Sequence, residues 1–373
     1  MEFSLPIPGG MAQSADSSSR AENPTGCSTD WFDRCLTGAR EDGELLVSEG
    51  TGPPRVVHFD ISKRLLFCQL GDLVLARLPM RVARLSLCES QLCDREPVYD
   101  RLFAQVVTRS FDAVHLQSVR PDTALWRYLR NSPRIRKFFR FYSQHGPLPH
   151  WLIRVTGSFN DYTRQLSSKT RKNRFREIKL LRKLGEVKLI RVTEASEIDG
   201  FLETASRIST KTRKFRQFGR GVAARERQLL RNELVRLAQQ HWLRSYLLMC
   251  GSAPCSFILG QQSGSRFYPV AAGVDPSWRQ YSVGTVLLWL VLRDLFEENS
   301  PEFYDLGIAA NHREYLATDS YGEADVWLFR RRPYATLASS ICRTCDLTSK
   351  VGGATLQRIG LKPRVTRLLR REE

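Results

Sequence analysis

The sequence predicts a mixed α/β fold, and two observations carry the prediction. Short runs with the two-residue alternation of β-strands are interleaved with longer runs whose apolar residues recur at helical spacing. The chain has 373 residues, and at ~150 residues per domain that is room for two domains with cores of their own. Hydrophobic content of 42% and charged content of 26% are those of a globular chain.

In chain order, residues 1–26 are rich in Ser, Gly and Pro and read as a disordered leader, with Met11 an alternative start. The leader lacks the basic and apolar regions of a secretory signal. Short strands are expected at Leu45–Glu49, Val56–Phe59 and Leu73–Leu78, with Ala83–Glu89 less regular. Pro97 opens a helix, PVYDRLFAQVV, because proline suits a first helical turn. Ala113–Val119 reads as a strand, Thr123–Arg130 as a helix, and Phe138–Tyr142 and His150–Val155 as strands. From Ser158 to Gly185 two helical pieces follow, with Phe175, Ile178, Leu181 and Leu184 as the expected buried stripe. Val187–Thr193 is a strand, Glu194–Ile208 a helix, Lys211–Val222 a basic loop and Ala223–Gln240 an amphipathic helix. After Trp242 the order is β-β-β-α-β-α-β, and residues 336–373 form a basic tail with helical potential.

The formal charge is +18 and it is concentrated. Arg164–Arg191 holds eleven Lys/Arg against two Glu, and Arg207–Arg231 nine against one. Such patches suit nucleic acid, anionic lipid headgroups, a phosphorylated cofactor or an acidic glycan, or are simply solvated helix faces. The nine cysteines are irregularly spaced, which favours reduced thiols and a cytoplasmic setting. Cys342-x-x-Cys345 has no second pair and no nearby histidine, so no metal is expected. No apolar run reaches the ~18 residues of a membrane-spanning helix.

The chemistry is concentrated in DPSWRQYSVGTVLLWLVLRDLFEENSPEFYDLGIAANHR, residues 275–313. A strand leads into a turn with Arg279, Ser282, Gly284 and Thr285, then a long apolar helix. Backbone N–H groups at such a helix N-terminus are unpaired, and with the helix dipole they form a cradle for phosphate. Gly284 lets the backbone approach a diphosphate, and Arg279 adds a cation.

Arg279-x-x-Ser282-x-Gly284 resembles the acyl-coenzyme A signature of the GNAT acetyltransferases, with Ser in place of the first Gly. Asp275-Pro276, Tyr281-Ser282-Val283-Gly284 and Asp305-Leu306-Gly307, together with WLRSYLLMCGSAPCSFILG, resemble the CelD/BcsL-type branch of that superfamily. Leu166-Ser-Ser-Lys-Thr-Arg-Lys-Asn173 is similar to a segment shared with FemAB-like transferases. The likeness covers roughly residues 150–335. It departs at Val283 (usually Pro), at Ala309 (usually Gly) and at His312-Arg313, where relatives have Tyr-Lys.

The resemblance implies a tandem GNAT-like fold with two mixed sheets flanked by helices and a basic helical insertion. Residues 27–157 would be the first GNAT-like domain, 158–240 the basic segment and 241–335 the acetyltransferase core. It implies acetyl-CoA or another acyl-CoA as co-substrate and an amine or hydroxyl acceptor, in one reading an anionic cell-envelope or exopolysaccharide precursor reached from the inner face of the membrane. The strand Tyr268–Val274 would part from its neighbour and pair with the pantetheine amides. Cofactor contacts would come from Val270, Ala272, Val274, Arg279, Ser282, Val283, Gly284 and Thr285. His312, Glu323 and Tyr281 are the candidate acid/base residues, and Arg313 and Asp305 candidate acceptor contacts. Two alternatives stand beside this reading: a FemAB-like transferase drawing on aminoacyl-tRNA, and a non-catalytic module binding nucleic acid or an anionic membrane surface.

Overall fold

The structure, a computed structural model, describes residues 32, 35, 40–47, 55–70, 73–86, 96–144, 146–219, 221–308 and 314–358. The leader 1–26, Ala309, His312 and Arg313 lie outside the described residues.

The first half contributes β1 (Arg40–Val47), β2 (Arg55–Leu70), β3 (Leu73–Ser86), α1 (Glu96–Val107), β4 (Ala113–Val119), α2 (Ala124–Asn131), α3 (Pro133–Phe138), β5 (Phe139–Ser143) and β6 (Leu148–Arg154). Then come α4 (Phe159–Gln165), α5 (Ser168–Arg182), β7 (Val187–Val192), α6 (Ile198–Thr210), α7 (Arg213–Phe218) and α8 (Arg227–Gln239). The last block is β8 (Ser245–Cys250), β9 (Ala253–Ser263), β10 (Arg266–Val274), α9 (Val283–Glu298), β11 (Phe303–Ile308), β12 (Asp319–Arg330) and α10 (Pro333–Arg358).

The strands form one mixed sheet in the order β1-β2-β3-β4-β12-β6-β11-β10-β9-β8-β7, with β5 also on β12. This corrects the expectation of two separate sheets. The joint is β12. Its Asp319–Glu323 pairs with β6, and from Ala324 onward it pairs with β4 and β5. The sequence suggested a strand only from Ala324, because the preceding DSYGE, with two acids and a glycine, does not read as one.

Helices cover both faces. On one, α9 packs with α4 and α5 over Tyr246, Ile258, Phe267 and Tyr304, while α1, α2 and α3 cover Val114, Leu116, Val326 and Leu328. On the other, α6 and α8 cover Leu247, Phe257 and Leu259, and α10 covers Met80, Val82, Ala113 and Phe329. α9 is apolar on nearly every side, which suits a helix buried against the sheet.

Three expectations change in detail. β2 and β3 are long hairpin strands of 16 and 14 residues, because their outward positions alternate with Lys63, Leu65, Arg77 and Arg81 and do not look like strand faces. The proposed stripe of α5 splits: Leu181 is buried and Ile178 partly so, but Phe175 is 67% and Leu184 49% exposed. A three-residue step drifts around a helix of 3.6 residues per turn, so four such positions cannot all face one neighbour. The loop Lys211–Val222 contains α7 and opens a 3-10 turn, Val222–Ala224.

Candidate active site

β10 and β11 run parallel but pair only through Arg266↔Phe303 and Phe267↔Tyr304. Beyond Phe267, β10 stays paired to β9 through Val274 while its other edge has no strand partner among the described residues. The strands part here for local reasons. β10 shifts register between Pro269 and Ala271, and Pro269 has no N–H to give a ladder. β11 shifts register between Asp305 and Gly307, and Gly307 takes φ +81°.

At the far end of β10 the chain enters a 3-10 turn, Pro276–Tyr281, and then α9. Asp275 builds this turn by accepting from Ser277 N–H (3.1 Å) and the Ser277 hydroxyl (2.8 Å). Its other oxygen accepts from Lys211 Nζ at 2.6 Å, tying the turn to the end of α6. Burial opposes the Asp275 charge, but Lys211 and Ser277 outweigh it and hold the carboxyl below its ordinary range. Ser282 caps α9 in the left-handed conformation (φ 54°, ψ 32°) without a side-chain cap bond. Thr285 N–H is taken by Ser282 C=O at 2.8 Å, and the half-buried Gly284 opens the first turn of α9 near the exposed Arg279. Gly284 has a packing reason as well: a Cβ there would stand 2.8 Å from Val274 Cγ2.

Val270 packs on the α6/α8 core and Val274 on the α9 core, whereas Ala272 is exposed. Val283 is wholly buried, backbone included, and packs in the α9 core. Tyr281 packs on the core beside Trp278 at a ring distance of 5.9 Å. Thr285 is half-buried in the first turn of α9.

Asp305 and Glu323, distant in sequence, are brought together by His150. His150 Nε2 lies 2.7 Å from Asp305 Oδ1, and Nδ1 contacts Glu323 Oε2. Asp305 Oδ1 also accepts from Gly307 N–H at 2.8 Å, and Arg266 Nη1 stands 3.5 Å from Oδ2. Tyr321 stacks on the imidazole at 4.7 Å, and its hydroxyl accepts from Arg266 Nη1 at 3.2 Å. Burial works against a charged imidazole, but hydrogen bonds and charges from Asp305 and Glu323 prevail and raise its pKa to about 9. Burial likewise opposes the Glu323 charge, yet His150 holds its pKa down. At neutral pH the group is an imidazolium clamped between carboxylates. Sequence reading missed His150, Arg266 and Tyr321. The available signal was polar residues at inward-facing positions of strands that are otherwise buried.

Residues 168–315 match the model of the family described as acetyltransferase (GNAT) domain. That stretch, less than half of the chain, is similar to GNAT acetyltransferase domains, a class that typically uses acyl-CoA and an acceptor substrate. None of the curated proteins matches this chain. Among solved structures, it is similar to the C-terminal domain of a putative lysylphosphatidylglycerol synthetase from Agrobacterium fabrum, with 10% identity, 88% of this chain and 92% of that one covered, and a TM-score of 0.49. FemX is similar at 9% identity, with 80% and 91% covered and a TM-score of 0.47. A tandem GNAT protein from the clavulanic acid biosynthesis pathway is similar at 10% identity, with 74% and 83% covered and a TM-score of 0.42. Among the described residues no helix is long and apolar enough to cross a membrane.

Proposed function

We propose that the chain is an acyl-CoA-dependent N-acyltransferase whose acyl donor lies between β10 and β11, its diphosphate at the start of α9. The observation that carries this reading is the parting of β10 from β11 after two residue pairs, beside the N-terminus of α9, which has no side-chain cap bond. A free strand edge offers the hydrogen bonds that an extended pantetheine arm needs, and the helix end favours its anion. The residues fit: Arg279 is exposed at the loop, and Ala272, small and exposed, leaves the free edge open. The attacking nitrogen forms a C–N bond at the thioester carbonyl as the C–S bond breaks, and the thiolate leaves with a proton. In this reading a backbone N–H of the β10 bulge stabilises the developing oxyanion.

In this reading residues 241–335 form the transfer core and 27–157 a first GNAT-like half. Acid/base roles for Glu323, Tyr281 and His312, and acceptor contacts from Asp305 and Arg313, are part of the proposal. A cell-envelope or exopolysaccharide acceptor and a cytoplasmic site of action rest on family likeness alone.

Calorimetric titration with acetyl-CoA tests the reading. Saturable heat is expected, with affinity lowered about tenfold by Arg279→Glu, the loss of one charge-assisted contact. No heat at millimolar acetyl-CoA overturns it. Gly284→Trp is a poor probe, since even a Cβ there meets Val274.

One observation favours a tRNA-dependent variant of the reaction. Phe175 is 67% exposed on α5, flanked by exposed Lys172, Arg176 and Lys179. An aromatic among cations is a stacking platform for single-stranded nucleic acid. RNA that binds with steep salt dependence and competes with acetyl-CoA would favour it.

A further inference from the structure

α10, PYATLASSICRTCDLTSKVGGATLQR, holds four charged residues in 26, few for a chain whose charged content is 26%. Helical spacing gives it two apolar faces. Ala335, Ala338, Cys342 and Cys345 are buried against Met80, Val82 and Phe329 of the sheet. The opposite face carries Leu337, Leu347 and Val351, which are 58%, 62% and 67% exposed. Leu337, Thr344 and Val351 recur every two turns and lie in one line, and Leu347 stands beside the last two at helical spacing.

The hydroxyls on the exposed face have little need of water. Ser340 Oγ donates to Thr336 C=O at 3.0 Å, and Thr348 Oγ1 to Thr344 C=O at 2.7 Å. A hydroxyl turned back onto its own helix enters an apolar medium without losing a hydrogen bond. The one carboxylate of the helix, Asp346, is buried. Among the described side chains from Tyr334 to Val351, the one exposed charge is Arg343, which donates to Phe141 C=O at the margin of the face. An outward helix face is ordinarily charged, and an apolar one marks an interaction surface.

Cations collect at the N-terminal end of this face. Arg331 and Arg332 lead into α10. Arg331 Nε donates to Arg136 C=O at 2.7 Å and its backbone N–H to Phe138 C=O at 3.1 Å, which holds Arg136 and Lys137 of α3 beside the turn. All four are exposed, and none forms an ion pair among the described residues. Asp112, close enough to act on Tyr334, is half-buried and accepts from Arg81 N–H at 2.8 Å. Tyr334 lies at the same end, partly exposed, with its hydroxyl donating to Pro79 C=O at 2.7 Å.

Area and charge decide what covers the face. From Tyr334 to Val351 it is about 26 Å long and about 10 Å wide, about a third of the roughly 800 Å² per partner that a stable protein pair buries. A second copy would also bring a second cluster of cations to a chain already at +18. Nucleic acid would meet the cations but leave the leucines in water. An anionic bilayer answers both features. Its headgroups meet arginine, lysine and tyrosine at the depth where those side chains settle, and its acyl boundary takes up a single apolar helix face.

We propose that α10 lies flat on an anionic lipid bilayer, with Leu337, Leu347 and Val351 below the headgroups and Arg136, Lys137, Arg331 and Arg332 on the lipid phosphates at its N-terminal end. The helix lies on the bilayer and does not cross it. The proposal does not depend on the acyl-CoA reading, because α10 packs on β2, β5 and β12, whereas the donor in that reading lies at β10 and β11. The basic helix α5 covers the opposite face of the sheet, so its cations point away from the same bilayer.

Vesicle flotation of the full chain tests the proposal. Vesicles of phosphatidylcholine mixed equally with phosphatidylglycerol should carry the protein, and vesicles of phosphatidylcholine alone should not. Leu337→Asp with Leu347→Asp, and separately Lys137→Glu with Arg332→Glu, should each weaken binding about tenfold or more. All four positions are exposed, so thermal unfolding should stay as in the wild type. Lys172→Glu on α5 should leave binding unchanged. In Leu347→Trp, acyl chains carrying bromine should quench the added fluorescence beyond the wild-type level, which adsorption by charge alone would not produce. Absence of flotation, equal flotation with both vesicle types, binding unchanged in the leucine pair, or binding lost in the α5 variant overturns the proposal. A dimer in light scattering that the leucine pair returns to monomer also overturns it, by giving the face to a second copy.

Discussion

His150→Gln removes the charge at the centre of the clamp and keeps a polar side chain in its place. The imidazole pKa is raised from 6.5 to about 9, and a shift of that size corresponds to about 3 kcal/mol of stabilisation of the charged form. The sign follows from the direction. A raised pKa contributes fully below about 6.5 and is lost as pH climbs through about 9. Glu323 has the opposite limb: its lowered pKa contributes above the ordinary carboxylate range and is lost in acid. The difference in unfolding free energy between wild type and variant should therefore be largest near pH 6 and shrink by about 3 kcal/mol by pH 10. Urea unfolding followed by tryptophan fluorescence at stepped pH measures it. A difference that stays level from pH 6 to pH 10 refutes the clamped imidazolium.

Further outcomes follow from other sites. Ser282→Gly removes a left-handed non-glycine residue that makes no side-chain cap bond, so it should raise stability by about 1 kcal/mol in urea unfolding. Gly284→Ala should cost about 1–3 kcal/mol through overpacking against Val274, and Val274→Ala in the same chain should recover most of it because the clash is with a side-chain methyl. On α5, Leu181→Ala should cost about 2–5 kcal/mol, whereas the exposed Phe175→Ser should stay within about 0.5 kcal/mol. Burial raises the pKa of Cys68, and of Cys342 still further, so mass-spectrometric mapping of thiol-reagent adducts should find both unmodified until the chain unfolds.

Much of the fold could be read from local pattern. Pro97 lies one residue inside the observed α1, and Ala113–Val119 is the observed β4. The turn Pro276–Tyr281 with the apolar helix after it stood out because turn chemistry and periodicity change within a few residues. What local pattern could not show was pairing over long separations. His150 and Asp305 are 155 positions apart, and no spacing rule connects them. The strand character of Asp319–Glu323 was masked by the polar groups that suit it to a site. Glu323 and Asp305 were recognisable as unusual, but the imidazole that joins them was not.

The strand shared by the two halves makes the protein hard to take apart. β12 is the penultimate described element, yet it closes the ladder for β4 and β5, laid down long before it, as well as for β6. A fragment ending before residue 319 leaves two open strand edges on either side of an unfilled slot, and a fragment beginning after β6 carries β12 with no partner to receive it. The slot can be filled only once nearly the whole chain has been made. Neither half is a module to be grafted elsewhere, and a synthetic β12 peptide supplied to a shortened chain should be captured as the missing strand.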